Sequence, residues 1–171
     1  MSFASLSRIV FFALTLISQN LNAEDLASPI WTLKNAQGQT VSSEDFAGQP
    51  LVIHFWATWC PYCKKVQHGL ERLKQKYTSK GVQFMFISFR EDQGAEPQRI
   101  LDERGITIPT LIDGDSVAMD DFRVRGTPTT FFIQHDGTVL GMTRTSDPDA
   151  PLLENAVQQL LSRYQDYGAA E

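Results

Sequence analysis

The sequence predicts an α/β domain with a mixed central sheet, in which a βαβ half is joined to a ββα half behind an N-terminal β-hairpin. Three observations predict it. Two nearly continuous apolar runs, residues 50–57 and 82–89, have the pattern of strands buried on both faces. Between them, Val66, Leu70, Leu73 and Tyr77 recur at helical spacing. Downstream, two more apolar runs flank the turn signal His135-Asp136-Gly137, and another helical pattern follows.

The elements follow in chain order. Trp31–Leu33 and Gln39–Val41, joined across Asn35–Gly38, form the expected hairpin. Pro50–Ala57 is the first buried strand, and the amphipathic stretch Pro61–Tyr77 is a helix closed by Gly81. Residues 82–89 form the second buried strand. A helix is expected over Glu96–Glu103, ended by Gly105, and a short one over Ser116–Phe122. Thr129–Gln134 and Thr138–Thr143 make an antiparallel hairpin. The last helix spans Ala150–Tyr164, with Leu153, Val157, Leu160 and Leu161 on one side, and Gly168–Glu171 is expected to fray.

Residues 1–23 stand apart. Arg8 is their only charged side chain, Ile9–Ile17 is apolar, and Leu21-Asn22-Ala23 precedes the acidic Glu24-Asp25. This is the layout of a secretory signal cleaved after Ala23, with an uncleaved membrane anchor as the alternative. The run from Leu6 to Ile17 is shorter than the ~20 residues of a spanning helix, which favours cleavage and a soluble exported product. Residues 24–171 are then one domain. Cleavage lowers the formal net charge from −5 to −6, and an acidic chain without a basic run gives no sign of nucleic-acid binding. With 42% apolar residues the 171-residue chain buries a core without covalent staples.

Its only two cysteines are Cys60 and Cys63, in the stretch FWATWCPYCKK. A bridge three positions apart closes too small a loop to add much stability, so the pair points to redox or metal chemistry. Cys60 falls where a buried strand gives way to a helix. Unpaired backbone N–H groups and the helix dipole there favour a thiolate, the nucleophilic form. Pro61 suits the first helical turn. Cys63 lies about one turn on, within disulfide reach but deeper. Cys60 is therefore expected to be the exposed nucleophile and Cys63 the resolving thiol, with Pro61 and Tyr62 tuning the pair. Trp59 and Tyr62 are expected to form an apolar surface around Cys60, while Phe55 and Trp56 lie in core or rim. Lys64 and Lys65 are expected to be solvated helix charges.

This segment resembles the active site of thioredoxin-fold proteins, in the version carried by exported TlpA/ResA-like thiol–disulfide oxidoreductases. The resemblance extends from about Trp31 to Tyr164. It implies a thioredoxin-like fold with a cis-proline beside the cysteines, opening the second hairpin. Pro109 and Pro128 are the candidates, and only Pro128 leads directly into strand, turn and strand. The backbone of Thr127 would then pair with an extended stretch of substrate, while Pro109 matches the start of another family strand. His54 stands where thioredoxin has a buried carboxylate. It is either a neutral core histidine or a proton carrier for Cys63, since imidazole titrates near neutral pH. Val66 replaces a glutamate of the ResA-like cavity, which puts that acid–base device and the cytochrome-maturation role in question.

The resemblance implies exchange of disulfides with protein substrates in the bacterial periplasm, as a monomer, without metal or organic cofactor beyond the Cys60–Cys63 disulfide. A reductant recharged by a membrane donor of DsbD type is favoured over a disulfide-introducing oxidant. A Cu(I)-delivery protein on the same fold is the rival from another class, since soft thiolates select Cu(I). Such proteins usually separate their cysteines by three residues, and none of His54, His68 and His135 is an evident exposed third ligand. A peroxidase is disfavoured, because Ala57 occupies the position of the expected threonine three before Cys60. A binding module with an idle cysteine pair is the remaining alternative.

Overall fold

The computed structural model describes residues 26–169. The expected signal or anchor over residues 1–23 lies outside them. Among the described residues no helix is long and apolar enough to cross a membrane.

The fold is thioredoxin-like, with seven strands in one mixed sheet ordered β2-β1-β5-β4-β3-β6-β7. The strands are β1 (Thr32–Asn35), β2 (Thr40–Ser42), β3 (Leu51–Trp56), β4 (Gln83–Ser88), β5 (Thr110–Ile112), β6 (Thr129–Ile133) and β7 (Val139–Thr143). The α-helices are α1 (Pro61–Tyr77), α2 (Pro97–Glu103) and α3 (Pro151–Gly168). Strand β3 lies inside the sheet, parallel to β4 and antiparallel to β6. All six of its residues are buried, as expected of a strand covered on both faces.

Four elements differ from the reading of the residues or add to it. The entrance hairpin is part of the main sheet, because β1 pairs antiparallel with β5. β5 itself is a three-residue strand, too short for any periodicity to reveal, and it pairs with both β1 and β4. The turn expected to be helical at Ser116–Phe122 is a π-helical turn over Val117–Asp121. Helix α3 also runs on through Gly168, a turn beyond the expected end.

Side-chain alternation along β3 divides the core. Val52 and Trp56 join one cluster with Cys60, Cys63, Val66 and Leu70 of α1 and Leu153 and Val157 of α3. Ile53 and Phe55 join the other, on the opposite face, with Phe89, Val117 and Phe122. Phe55 meets Phe122, Phe131 and Phe89 at centroid separations of 5.0, 5.9 and 6.2 Å.

Two features fix α1. Glu71, 5% exposed, accepts hydrogen bonds from the Thr107 amide (2.8 Å), the Thr107 hydroxyl (2.6 Å) and the Ile108 amide (3.2 Å). Burial by itself raises the Glu71 carboxyl, but the bonds from Thr107 and Gln75 and the nearby Lys74 outweigh it and hold the group below the usual carboxylate range. The chain leading into β5 is thereby anchored to the cysteine helix. Gly69, two residues before Glu71 in the middle of α1, lets the chain at Pro148 pass so close that a Cβ would stand 2.2 Å from the Pro148 carbonyl oxygen.

Gly69→Ala is expected to destabilise the protein despite alanine's advantage of about 1 kcal/mol in a helix. The obstacle is backbone, which cannot swing aside, so overpacking of about 3 kcal/mol outweighs the propensity gain. A urea midpoint for Gly69→Ala at or above that of the parent would refute the close approach.

Candidate functional site

Strand β3 delivers the site. Its last residue, Trp56, is held by an indole hydrogen bond to Thr110 Oγ1 at 3.0 Å, which ties the strand end to β5. The chain then turns through Ala57–Trp59, with the Cys60 amide donating to the Ala57 carbonyl at 3.1 Å. Cys60 is the N-cap of α1, with extended backbone (φ −83°, ψ 107°) and Pro61 in the first turn. Its Sγ accepts a 3.1 Å hydrogen bond from the Cys63 amide, one of the helix's otherwise unpaired N–H groups. Helix start, proline and cysteine spacing thus combine as the residues predict.

Cys60 and Cys63 are joined in a disulfide, with Cα atoms 5.3 Å apart. Their accessibilities correct the sequence reading. Cys63 is fully buried as expected, but Cys60 is only 2% exposed rather than an open nucleophile. The bond holds its sulfur to a buried partner, and both cysteines belong to the core cluster with Trp56 and Ala57. The exposed surface is supplied by their neighbours. Trp59 is 51% and Tyr62 57% exposed, while Lys64 and Lys65 face solvent, Lys65 with its ammonium 5.9 Å from the Tyr62 ring centre. Phe55 and Trp56 are fully buried.

The second hairpin meets the same end of the sheet. Phe55 pairs with Thr129 in the β3–β6 ladder, and continuing that antiparallel register sets Pro128 beside Trp56 and Thr127 beside Ala57. The Thr127–Pro128 peptide bond is cis. Pro128 is buried, Thr127 partly exposed, and the Thr129 hydroxyl donates to the Gly126 carbonyl at 2.7 Å, bracing the turn. Pro109 instead immediately precedes β5, as the resemblance implied.

His54 points to the cysteine side of the sheet, alternating with Val52 and Trp56 and lying 4.9 Å from the Phe86 ring, centre to centre. It is fully buried, with Nδ1 2.9 Å from Thr130 Oγ1 and Nε2 without a partner. Burial pushes its pKa down to about 3. Of the two expectations for His54 this favours the neutral core histidine over the proton carrier, because an imidazolium here would be stripped of water with no anion to compensate. The imidazole is neutral where the chemistry of thiols operates.

Sequence reasoning missed a second set of polar residues behind the turn. Glu91, just past β4, accepts from the Thr58 amide (3.0 and 3.1 Å to its two oxygens) and from the Thr58 hydroxyl (2.5 Å). Arg104, just past α2, donates to the Thr58 carbonyl (3.0 Å) and to Oε1 of the buried Gln67 (2.8 Å), with its guanidinium 5.5 Å from the Trp56 ring centre. No sequence signal marks them, since an isolated Glu and Arg in loops 33 and 46 residues from Thr58 resemble solvated charges. As for metals, among the described residues no group of three or more His, Cys, Asp and Glu side chains is placed to hold an ion.

The sequence model of the AhpC/TSA family matches residues 26–142. The chain belongs to the AhpC/TSA family. Within this thioredoxin-like family the chain is similar to the thiol-disulfide oxidoreductase ResA of Halalkalibacterium halodurans, 26% identical over 110 residues, which cover 64% of this chain and 62% of that protein. It is also similar to the thiol:disulfide interchange protein DsbE of Allochromatium vinosum, 26% identical over 167 residues, covering 95% of this chain and 90% of that one. The chain thus spans less than two thirds of the ResA relative and nearly all of the DsbE relative. Among solved structures, a DsbE thiol:disulfide interchange protein of Chlorobium tepidum superposes with a TM-score of 0.72 at 25% identity, covering 80% of this chain and 96% of that one.

Proposed function

We propose that this protein is a thiol–disulfide oxidoreductase acting on protein substrates outside the cytoplasm, in the bacterial periplasm, and that it serves as a reductant. One observation carries the reading: a Cys60–Cys63 disulfide at the N-terminus of α1, with the Cys63 amide aimed at the Cys60 sulfur. An N–H donor and a helix dipole at that sulfur stabilise a thiolate once the pair is reduced.

The reaction takes two displacements. The Cys60 thiolate attacks one sulfur of a client disulfide, forming a mixed disulfide and expelling a client thiolate. The Cys63 thiolate then attacks the Cys60 sulfur, closing the intramolecular disulfide and releasing the second client thiolate. Two electrons pass to the client, and a dithiol on a membrane donor of DsbD type restores them. No metal or organic cofactor enters. Trp59, Tyr62 and the Thr127 backbone beside cis-Pro128 are the surface that receives the client chain, Thr127 by adding a short β-pairing. Pro61 and Tyr62 between the cysteines tune thiolate stability. The kinship with ResA and DsbE proteins supports the activity, and the signal-like layout of residues 1–23 supports the extracytoplasmic setting.

The equilibrium potential against glutathione tests the direction. A reductant is expected near ~−270 mV, and a value near ~−120 mV would make the protein an oxidant.

A further inference from the structure

The turn that presents Cys60 is held from outside by two charged residues. Every backbone and side-chain polar group of Thr58 is engaged: its amide and hydroxyl by the Glu91 carboxylate, its carbonyl by the Arg104 guanidinium. The next residue is anchored by the same loop, since the Trp59 indole donates to the Arg90 carbonyl at 2.8 Å. Arg90 has left-handed backbone (φ 55°), a conformation that costs a non-glycine residue energy. Its own amide is held by Asp115 Oδ1 at 3.1 Å. Arg104 reaches past the turn as well, to Gln67 one turn beyond Cys63 on α1. Both sides of the cysteine pair are therefore tied to one guanidinium.

We propose that Glu91 and Arg104 are a charged positioning pair that fixes the Thr58 turn and biases the ionisation of Cys60 in opposite directions. The inference rests on the exchange chemistry proposed above, in which the Cys60 thiolate is the reactive form. Both charges are bonded to Thr58, two residues before Cys60 in the chain, and both side chains are partly buried, which weakens screening by solvent. The guanidinium favours the thiolate and the carboxylate opposes it. The groups facing Glu91 are Thr58, Asp92 and Arg104, so Arg104 is its one cationic neighbour among them. The carboxylates facing Arg104 are Glu91 and Glu103. Asp92 and Glu103 are exposed and screened by solvent, so the partly buried Glu91 and Arg104 carry the local bias while their hydrogen bonds hold the geometry. A charge so placed moves the thiolate equilibrium roughly three- to ten-fold.

The test is the pH dependence of iodoacetamide alkylation of Cys60 in the reduced protein, which needs no client. Glu91→Gln is expected to raise the thiolate-to-thiol ratio at neutral pH roughly three- to ten-fold. Arg104→Gln is expected to lower it comparably, the double variant to return near the parent, and Arg104→Lys, which keeps the charge, to stay within about two-fold of it. Shifts of the same sign in both single variants would mean that the pair only braces the turn, and shifts under two-fold in both would mean that it does not reach Cys60. Either result overturns the proposal. If Arg104→Gln does not fold, Glu91→Gln decides alone, because a raised ratio supports the bias and an unchanged or lowered one removes it. Disulfide exchange by the parent is measured separately. Its absence would sink the oxidoreductase reading while leaving the alkylation result interpretable.

Discussion

Cys63→Ser is expected to accumulate a covalent adduct with a disulfide-bearing client protein, one client per molecule, whereas Cys60→Ser forms none. In the first variant the attacking thiolate and its Cys63 amide donor remain, because that donor is backbone. Only the second displacement is lost, so the mixed disulfide has no internal exit. In the second variant the remaining thiol is Cys63, fully buried and inside the first turn of α1 rather than at its N-cap, so no adduct is expected. Turnover of a client disulfide falls in both by on the order of 10³-fold or more, as expected when a covalent nucleophile or its partner is removed. Non-reducing electrophoresis and mass measurement read the outcome. An adduct with Cys60→Ser and none with Cys63→Ser would reverse the roles.

Stability is expected to fall as the pH drops below about 6.5, because of His54. In the unfolded chain this imidazole has the ordinary value of 6.5, and in the fold burial holds it near 3. Between those values the unfolded state binds a proton that the folded state refuses, so acid favours unfolding. The contribution is complete above the unfolded value and drains at up to about 1.4 kcal/mol per pH unit, reaching about 2–3 kcal/mol by pH 4.5. Glu71 adds its own loss in more acid solution, because its folded pKa lies below the ordinary carboxylate value of 4.5. Burial holds the Glu91 carboxyl above its ordinary value of 4.5, so the fold takes up that proton first and acid favours folding there, the opposite sign to His54. The slope is therefore assigned to the histidine by comparison with His54→Phe. Urea unfolding at a series of pH values should show this slope in the parent and a flatter one in His54→Phe, whatever that variant's absolute stability. An equal slope in the two proteins would mean that the imidazole can accept a proton inside the fold.

Much of this architecture is legible in the residues because it depends on short-range rules. The apolar runs at 50–57 and 82–89, the helical spacing after Pro61 and the turn at His135–Gly137 each act over a few positions, and each became the expected element. The helix-start placement of Cys60 follows from the same local grammar, and so does the choice of Pro128 over Pro109 for the hairpin. What stayed hidden depends on distant partners. β5 exists because β1 and β4 supply its ladder on both sides, which three residues cannot announce by their own pattern; only the family resemblance at Pro109 pointed to it. The burial of Cys60 is a property of its bond to Cys63 and of the packing around it. For His54 the residues offered a neutral core imidazole or a proton carrier, and complete burial, which only the fold discloses, favours the first. Glu91 and Arg104 gain their roles only when the fold brings two loops to Thr58.

The division of the core by the sheet has a practical meaning for anyone wishing to alter this protein. The cysteines lie in the layer that contains α1 and α3, where the proposed exchange would take place, whereas Phe55, Phe122 and Phe131 interlock on the far side with no cysteine among them. Substitutions in the two layers share few partners and should combine additively. The aromatic layer is thus a reservoir for raising heat tolerance without retuning electron transfer, and the cysteine layer can be retuned against a constant mechanical background.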